Sequence, residues 1–324
     1  MRPLKLVPDN TNIPFLKYRN IAMAFSIALI VGSIVLCVVR GFNLGIDFVG
    51  GQTVRVTFDQ PVEVEELRQR IDALGVGDAT IQQYGGPTDV GIRTPLPDSG
   101  DDAAAERAAT KIRTAIETSY PGAHVGAVES VSGKVSNELF RTGMIALVLA
   151  MLGITAYIWF RFEWHFAVGA LFALFHDVAL TLGFFALTQL EFDLNIVAAI
   201  LTIIGYSLND TIVVYDRIRE NLMKYRKMAI PELLDLSVNE TLSRTVVTSL
   251  SIGIVLTVLL ILGPDVIFGF TASMLLGIVI GTFSSVYVSA AILLWLRLRP
   301  DSFVPKEATG LAATGERVGP KELP

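Results

Sequence analysis

The sequence of 324 residues holds one cysteine and three histidines, and only 18% of its residues are charged. A single cysteine excludes a disulfide scaffold, so any domain outside the membrane must be held by its core. A soluble domain usually carries about a quarter charged residues. That shortfall, beside a hydrophobic fraction of 52%, also argues against a disordered chain. No collagen repeat is present, and no GxxxxGK[ST] string that would cradle phosphates. The polar regions hold no Ser/His/Asp or Cys/His set and no cluster with metal-ligand spacing. The chain is therefore not read as an enzyme, and no cofactor, metal or nucleic acid is expected.

What is present is hydrophobicity in long runs. A helix needs about 20 mostly apolar residues to cross a bilayer. Such runs fall at Ile21–Val39, Gly143–Trp159, Phe166–Leu187, Asn195–Tyr215, Thr245–Leu262 and Val266–Leu296. The fold class expected is a polytopic α-helical membrane protein with six transmembrane helices and a small α+β domain between the first two. The last run is long enough to tilt or to include an irregular end. The first is longer than a signal-peptide core and ends in Val38-Val39-Arg40, so it reads as an uncleaved anchor.

Lys and Arg placement sets orientation. Arg2, Lys5, Lys17 and Arg19 precede the first run, Arg161 follows the second, Arg217 to Lys227 follow the fourth, and Arg297 and Arg299 follow the sixth. The turns after the third and fifth carry Glu191, Asp193 and Asp265 without Lys or Arg. Both termini (1–20 and 301–324) are expected in the cytoplasm. A cytoplasmic loop is expected at about 216–243, within a five-helix bundle at 141–300. The first anchor is placed at 21–39, and the domain at 40–140 is expected outside. Residues 42–138 hold 15 acids against 8 bases, so the acidity of the chain sits there.

That domain changes period. Gln52–Phe58 alternates, with Val54, Val56 and Phe58 on one face, as a strand does. Pro61 opens a helical stretch with Val64, Leu67, Ile71 and Leu74, which Gly75 and Gly77 end. Strand-like Thr80–Tyr84 and Asp89–Thr94 follow, parted by Gly85-Gly86-Pro87. Asp101-Asp102 open an Ala-rich helix, with acids at the end that suits the helix dipole. His124–Val131 reads as a last strand. The order strand, helix, strand, strand, helix, strand is that of the ferredoxin-like split unit. This fold alone assigns no function. His124, without a partner Cys or His, reads as a solvated or structural histidine.

Charged residues within a span cost at least about 2.5–3.5 kcal/mol each by insertion scales, so each requires a reason. Asp177 lies mid-span beside His176, Asp210 lies in the fourth span beside Asn209, and Arg244 opens the fifth. Neighbours one step apart on a helix do not share a face, so His176 and Asp177 read as separate groups. Asp177 then reads as a buried structural acid. Ala198, Thr202, Gly205 and Asn209 form one small, polar helix-packing face beside Asp210. Arg244, Thr248 and Ser251 form a matching stripe, so an Asp210–Arg244 pair is geometrically reasonable. Three readings stay open: a structural ion pair, a proton relay, or an interface to another subunit. In the relay, low dielectric favours the protonated acid and a nearby cation the ionised one. In the last span Gly269, Ser273, Gly277, Gly281, Ser285 and Ser289 recur every four residues, a ridge suited to close helix contact.

Several strings together resemble the SecF family, the small six-span subunits of the bacterial SecD–SecF protein-export complex. They are Gly45-Ile-Asp47-Phe48-Val-Gly50-Gly51 and the stretch from Gly205 through Asn209-Asp210 to Asp216-Arg217-Ile-Arg219-Glu220-Asn221. Glu240-Thr-Leu-Ser-Arg244-Thr245-Val-Val-Thr248, His176-Asp177 and the small-residue ridge complete the set. The resemblance covers the chain up to about Pro305. It places the chain among the resistance–nodulation–division transporters and implies a bacterial inner-membrane location. The implied partners are SecD, the SecYEG channel, the translocating polypeptide and membrane lipid. It implies that proton flow drives late steps of export, with Asp210 and Arg244 on the proton pathway and Asn209 and Thr248 as supporting polar groups; Asp177 is a further candidate. Asp47 and its glycines would shape the join of the first span to the domain. Two other readings remain: half of a proton-driven small-molecule exporter, which the small acidic domain disfavours, and a non-transporting translocon scaffold.

Overall fold

The computed structural model describes residues 7–8, 11–77, 79–83, 86–95 and 102–298, without the side chains of 102–105 and 265. Asp101, Tyr84, Gly85 and the tail from 299 lie outside that set, as does the side chain of Asp102.

A short 3-10 turn, Phe15–Tyr18, leads into helix α1, Arg19–Val39. After the short helix α2, Ile46–Val49, the α+β domain runs β1 Gly51–Thr57, α3 Val64–Asp72, β2 Thr80–Gln83, β3 Asp89–Thr94, α4 Asp102–Ser119 and β4 His124–Val131. The sheet order is β2-β3-β1-β4, and every pairing is antiparallel. This is the ferredoxin-like arrangement, with both central strands flanked by edges. Alternation explains the core: Val54, Val56, Ile81, Val90 and Ile92 meet Leu67, Ile71, Ile112 and Ile116 of the two helices. Each fully buried Leu, Ile or Val contributes roughly 1.5–3 kcal/mol, which stands in for absent disulfides. His124 is exposed.

The bundle follows with α5 Gly133–Arg161, α6 Trp164–Thr188, α7 Leu194–Lys224 and α8 Ile230–Leu262. Then come α9 Phe268–Phe283, a π-helical turn Ser284–Val288 and α10 Ser289–Trp295. With α1, six helical segments are long and apolar enough to cross a membrane. Three differences from the hydropathy runs have physical causes. Helix α5 begins ten residues before its apolar run, directly after β4, where Ser132 caps it by accepting from the Val135 N–H at 3.4 Å. The loop expected at about 216–243 is mostly helix, because α7 and α8 extend beyond the apolar runs as a hairpin. Pro231 sits in the first turn of α8, where its missing N–H costs nothing. The hairpin is tied by Arg217 to Glu240 (2.7 Å), Asn221 to Glu240 (2.7 Å) and Asn221 to Ser237 (3.0 Å). The last run is two helices about a π turn.

Helix α7 is the axis of the bundle. The small-residue ridge lies against it: a Cβ on Gly269 would meet Ile196, one on Gly277 Ile203 and one on Gly281 Ser207. Ser273 and Ser285 are fully buried along the same ridge. Thus the partner of the ridge lies within this chain. A step of four residues drifts by about 40° on an α-helix, so a ridge of six such positions would rotate off its partner. The π turn, with more residues per turn, winds the face back. Helices α1 and α6 run parallel, and Ser33 fills the space over Gly183. The outer faces of α1, α5 and α8 expose Phe25, Leu149, Val255 and Ile261, as a lipid-facing surface would.

The glycine pair at the head of the domain has a backbone reason. Gly50 (φ 74°) and Gly51 (φ 127°) adopt conformations that other residues resist. A Cβ on Gly51 would also lie 2.8 Å from the Thr94 carbonyl. Next to them Asp47 accepts from the Leu194 N–H at 3.0 Å, and Asp193 caps the same helix by accepting from the Ile196 N–H at 3.1 Å. Arg93 on β3 donates to the Leu44 carbonyl and, at 2.9 Å, to Asn43. Asp47 thus ties the linker after α1 to the start of α7, and Arg93 ties the domain to that linker, beside the domain's covalent links to α1 and α5.

Candidate functional site

Two carboxylates are buried among the spans, Asp210 on α7 and Asp177 on the neighbouring α6. Asp210 is 5% exposed. Its Oδ1 accepts from the Thr245 hydroxyl at 2.8 Å, and its Oδ2 has no hydrogen-bond partner among the described residues. The expected pair with Arg244 is not formed. Arg244 is exposed and makes no ion pair among the described residues, though its charge is close enough to act on Asp210 through space. One residue on a helix is a rotation of about 100°. With Thr245 turned to Asp210, Arg244 points toward the open side of the bundle.

The supporting residues sort differently from the expectation. Thr248 donates to the backbone carbonyls of Arg244 (2.9 Å) and Thr245 (3.0 Å), so it braces α8 and does not touch Asp210. Asn209 is exposed. So are Ala198, Thr202 and Gly205, and a Cβ on Gly205 would meet nothing. The small polar face read as a packing face is open in the isolated chain. Thr245 is the residue the sequence reading passed over; it lies beside Arg244, and its hydroxyl was a visible candidate.

Asp177 has the opposite surroundings. It is fully buried, and its Oδ2 accepts from Ser207 of α7 at 2.5 Å and Ser284 of the π turn at 2.9 Å. Its Oδ1 lies 2.9 Å from His176 Nδ1. The two residues read as separate are therefore in contact, because the imidazole bends along the helix to meet the carboxylate. Ser285 and Thr211 continue the polar track at 2.9 Å, and Ser285 reaches the Ser207 carbonyl at 3.4 Å. Ser207 lies inside the string from Gly205 to Asp210 but carries no charge, and Ser284 sits one step off the small-residue ridge, so spacing points to neither. No group of three His, Cys, Asp or Glu that could hold a metal exists among the described residues.

Outside the spans, burial pushes the Asp193 carboxyl above its ordinary range, against hydrogen bonds from Asn195 and the Ile196 N–H, with the nearby acids Glu191 and Asp47 adding to the rise. Burial likewise raises Glu163 at the opposite end, against the Arg219 charge.

Six spans, a ferredoxin-like domain inserted after the first, and buried acids flanking a central helix define a multi-pass membrane protein with ionisable groups inside its bundle. The model of the protein export membrane protein SecD/SecF C-terminal region matches residues 111–299, and the SecD/SecF GG motif matches residues 35–62. The protein translocase subunit SecF of Cereibacter sphaeroides is 44% identical over 299 residues, covering 90% of this chain and 92% of that one. The SecF of Ketogulonicigenium vulgare is 41% identical over 319 residues, covering 96% and 97%. The crystal structure of SecDF, a translocon-associated membrane protein from Thermus thermophilus, aligns at a TM-score of 0.83 with 34% identity. That alignment covers 92% of this chain but spans only 40% of the SecDF chain. The chain belongs to the SecD/SecF family of protein export membrane proteins, and its full-length relatives are SecF subunits.

Proposed function

We propose that this chain is the SecF-type subunit of a bacterial protein-export complex and that it couples the proton gradient to late steps of polypeptide export. The observation that carries the reading is Asp210: a buried carboxylate with one oxygen held by Thr245 and the other unpartnered, on the margin of an open polar face. A buried acid of this kind is costly in a membrane unless it works. The open face, Ala198 to Asn209 with Arg244 nearby, is where a SecD partner packs. Closing it brings the Arg244 charge and Asp210 under shared desolvation, so that movement of the partner loads or releases the proton. One charge crossing the membrane field is worth about 2.3 kcal/mol per 100 mV, enough to shift a conformational equilibrium manyfold. The chain acts without covalent chemistry of its own. Its termini and the α7–α8 hairpin lie in the cytoplasm, with the acidic domain outside near the SecYEG exit and the emerging polypeptide.

Export from inverted membranes or proteoliposomes tests this. Asp210→Asn and Arg244→Met should each abolish the acceleration of export by a proton gradient while the complex with SecD still purifies intact. If export and its response to the gradient are unchanged in the intact complex, the scaffold reading replaces this one.

A further inference from the structure

The bundle has a second ionisable centre that the Asp210 reading does not use. His176 and Asp177 are 1% and 0% exposed. His176 Nδ1 lies 2.9 Å from Asp177 Oδ1; in the neutral imidazole that donates from Nδ1 to an ionised carboxylate, Nε2 is an acceptor able to take a proton. That Nε2 is buried and has no partner. A second buried orphan lies at the same level. Ser26 on α1 is 1% exposed, and its hydroxyl is also unpartnered. Helices α1 and α6 run parallel, and Ser33 sits over Gly183. Seven residues back on both helices, two turns on the same face, brings Ser26 level with His176.

Charge sharpens the point. With His176 neutral and Asp177 ionised, the centre holds one negative charge with no cation beside it. Helix α6 contains no Lys or Arg. Of the helices packed on it, the nearest cations in sequence are Arg19, seven residues from Ser26, and Arg217, ten from Ser207. Within the apolar stretches of those neighbours the titratable groups are Asp210, Tyr206 and Tyr215 on α7, Tyr157 on α5, Tyr287 on the π turn and Cys37 on α1, none of them a cation; the Lys and Arg of α1, α5 and α7 lie toward the helix ends. An isolated buried charge is expensive, and taking up one proton neutralises it.

We propose that His176 and Asp177 form a proton-binding site, distinct from Asp210, that takes its proton at His176 Nε2. The added proton makes an imidazolium–carboxylate pair of zero net charge, or, by transfer along the 2.9 Å contact, a neutral imidazole and a carboxylic acid. No other bond forms or breaks. Ser207 and Ser284 hold the carboxylate, and through them the site touches both the central helix and the π turn. Ser207 lies one turn from Asp210 on α7, so the two sites are neighbours along one helix. Binding at this site stands without the proton-coupled export reading; only its use in export rests on it.

The test is infrared titration of the full chain in lipid, alone and with SecD, following carboxyl and imidazole bands across pH. We expect a titrating signal that Asp177→Asn removes and Asp210→Asn leaves in place. His176→Phe keeps a ring against Phe283 and removes Nε2; it should move the midpoint of the Asp177 signal by at least about one pH unit. That second variant serves if Asp177→Asn does not fold. The proposal is overturned if Asp210→Asn accounts for every titrating carboxyl band, or if His176→Phe leaves the spectrum and its midpoint unchanged. Loss of gradient-driven export in Asp210→Asn with the Asp177 signal intact separates the two sites.

Discussion

Asp177 and Asp210 are both aspartates buried in the same bundle, one on α6 and one on α7. Asp177 is surrounded by its own chain: two serine hydroxyls and a histidine from three elements meet it, and nothing about it depends on a partner. Among the described residues Asp210 has one bond and one bare oxygen, beside a face of small and polar residues that none of them covers. The same asymmetry runs through the helices. The third and sixth spans are mostly buried within the chain, whereas the apolar stretch of α8 is mostly exposed. A carboxylate finished by its own fold serves the stability and the internal chemistry of one subunit. One left unfinished at an open face waits for assembly.

That contrast can be broken by substitution. The largest effect is expected for Asp177→Leu, which leaves Ser207, Ser284 and His176 without their acceptor. At about 1–3 kcal/mol per stranded buried group, the chain should lose several kcal/mol and many degrees of thermal midpoint in lipid. Asp210→Leu should cost only about 1 kcal/mol, since one hydroxyl bond is lost. Equal losses would mean that the two acids play the same role.

Glycines sharpen the same comparison at a smaller scale. A Cβ on Gly277 would press on the Ile203 side chain at 2.5 Å, so Gly277→Ala should destabilise the isolated chain by roughly 1–3 kcal/mol. Gly205→Ala meets nothing. It should leave the isolated chain as stable or slightly better, by about 0.5–1 kcal/mol through helix propensity, yet weaken co-purification with SecD. Unchanged co-purification would remove Gly205 from the partner face.

The smallest effect is expected outside the spans. The Asp193 carboxyl is raised, so the folded state holds its proton to higher pH than the unfolded chain does. Stability therefore falls as pH rises from the unfolded value through the raised one, and the penalty is full above it. Asp193→Asn keeps the helix cap and removes the charge. It should raise the thermal midpoint slightly at neutral pH, and the gain should vanish at pH below the ordinary carboxylate range.

Much of this architecture was readable from the chain. Alternation in Gln52–Phe58 and helical spacing from Val64 to Leu74 marked the domain, because a half-buried sheet and its helices impose those periods. The six runs marked the spans. Hydropathy did not show that α8 begins at Ile230, since an amphipathic helix beyond the bilayer keeps its polar residues. It did not show the π turn, whose signature is a ridge that should drift and does not. At the site, Asp210 and Asp177 were visible as charges in apolar runs. Their partners were not, because a rotation of one residue decides whether Arg244 or Thr245 faces Asp210. The His176–Asp177 contact depends on side-chain direction, which spacing does not carry.

On the proposed mechanism, Asp210 carries a proton across the assembled membrane complex. Proton flux into sealed vesicles containing this chain and SecD, read with a pH-sensitive dye under an imposed gradient, tests it most directly. The account predicts flux in the native complex and at least a tenfold loss in Asp210→Asn with assembly intact. Native flux through an intact Asp210→Asn complex would contradict it.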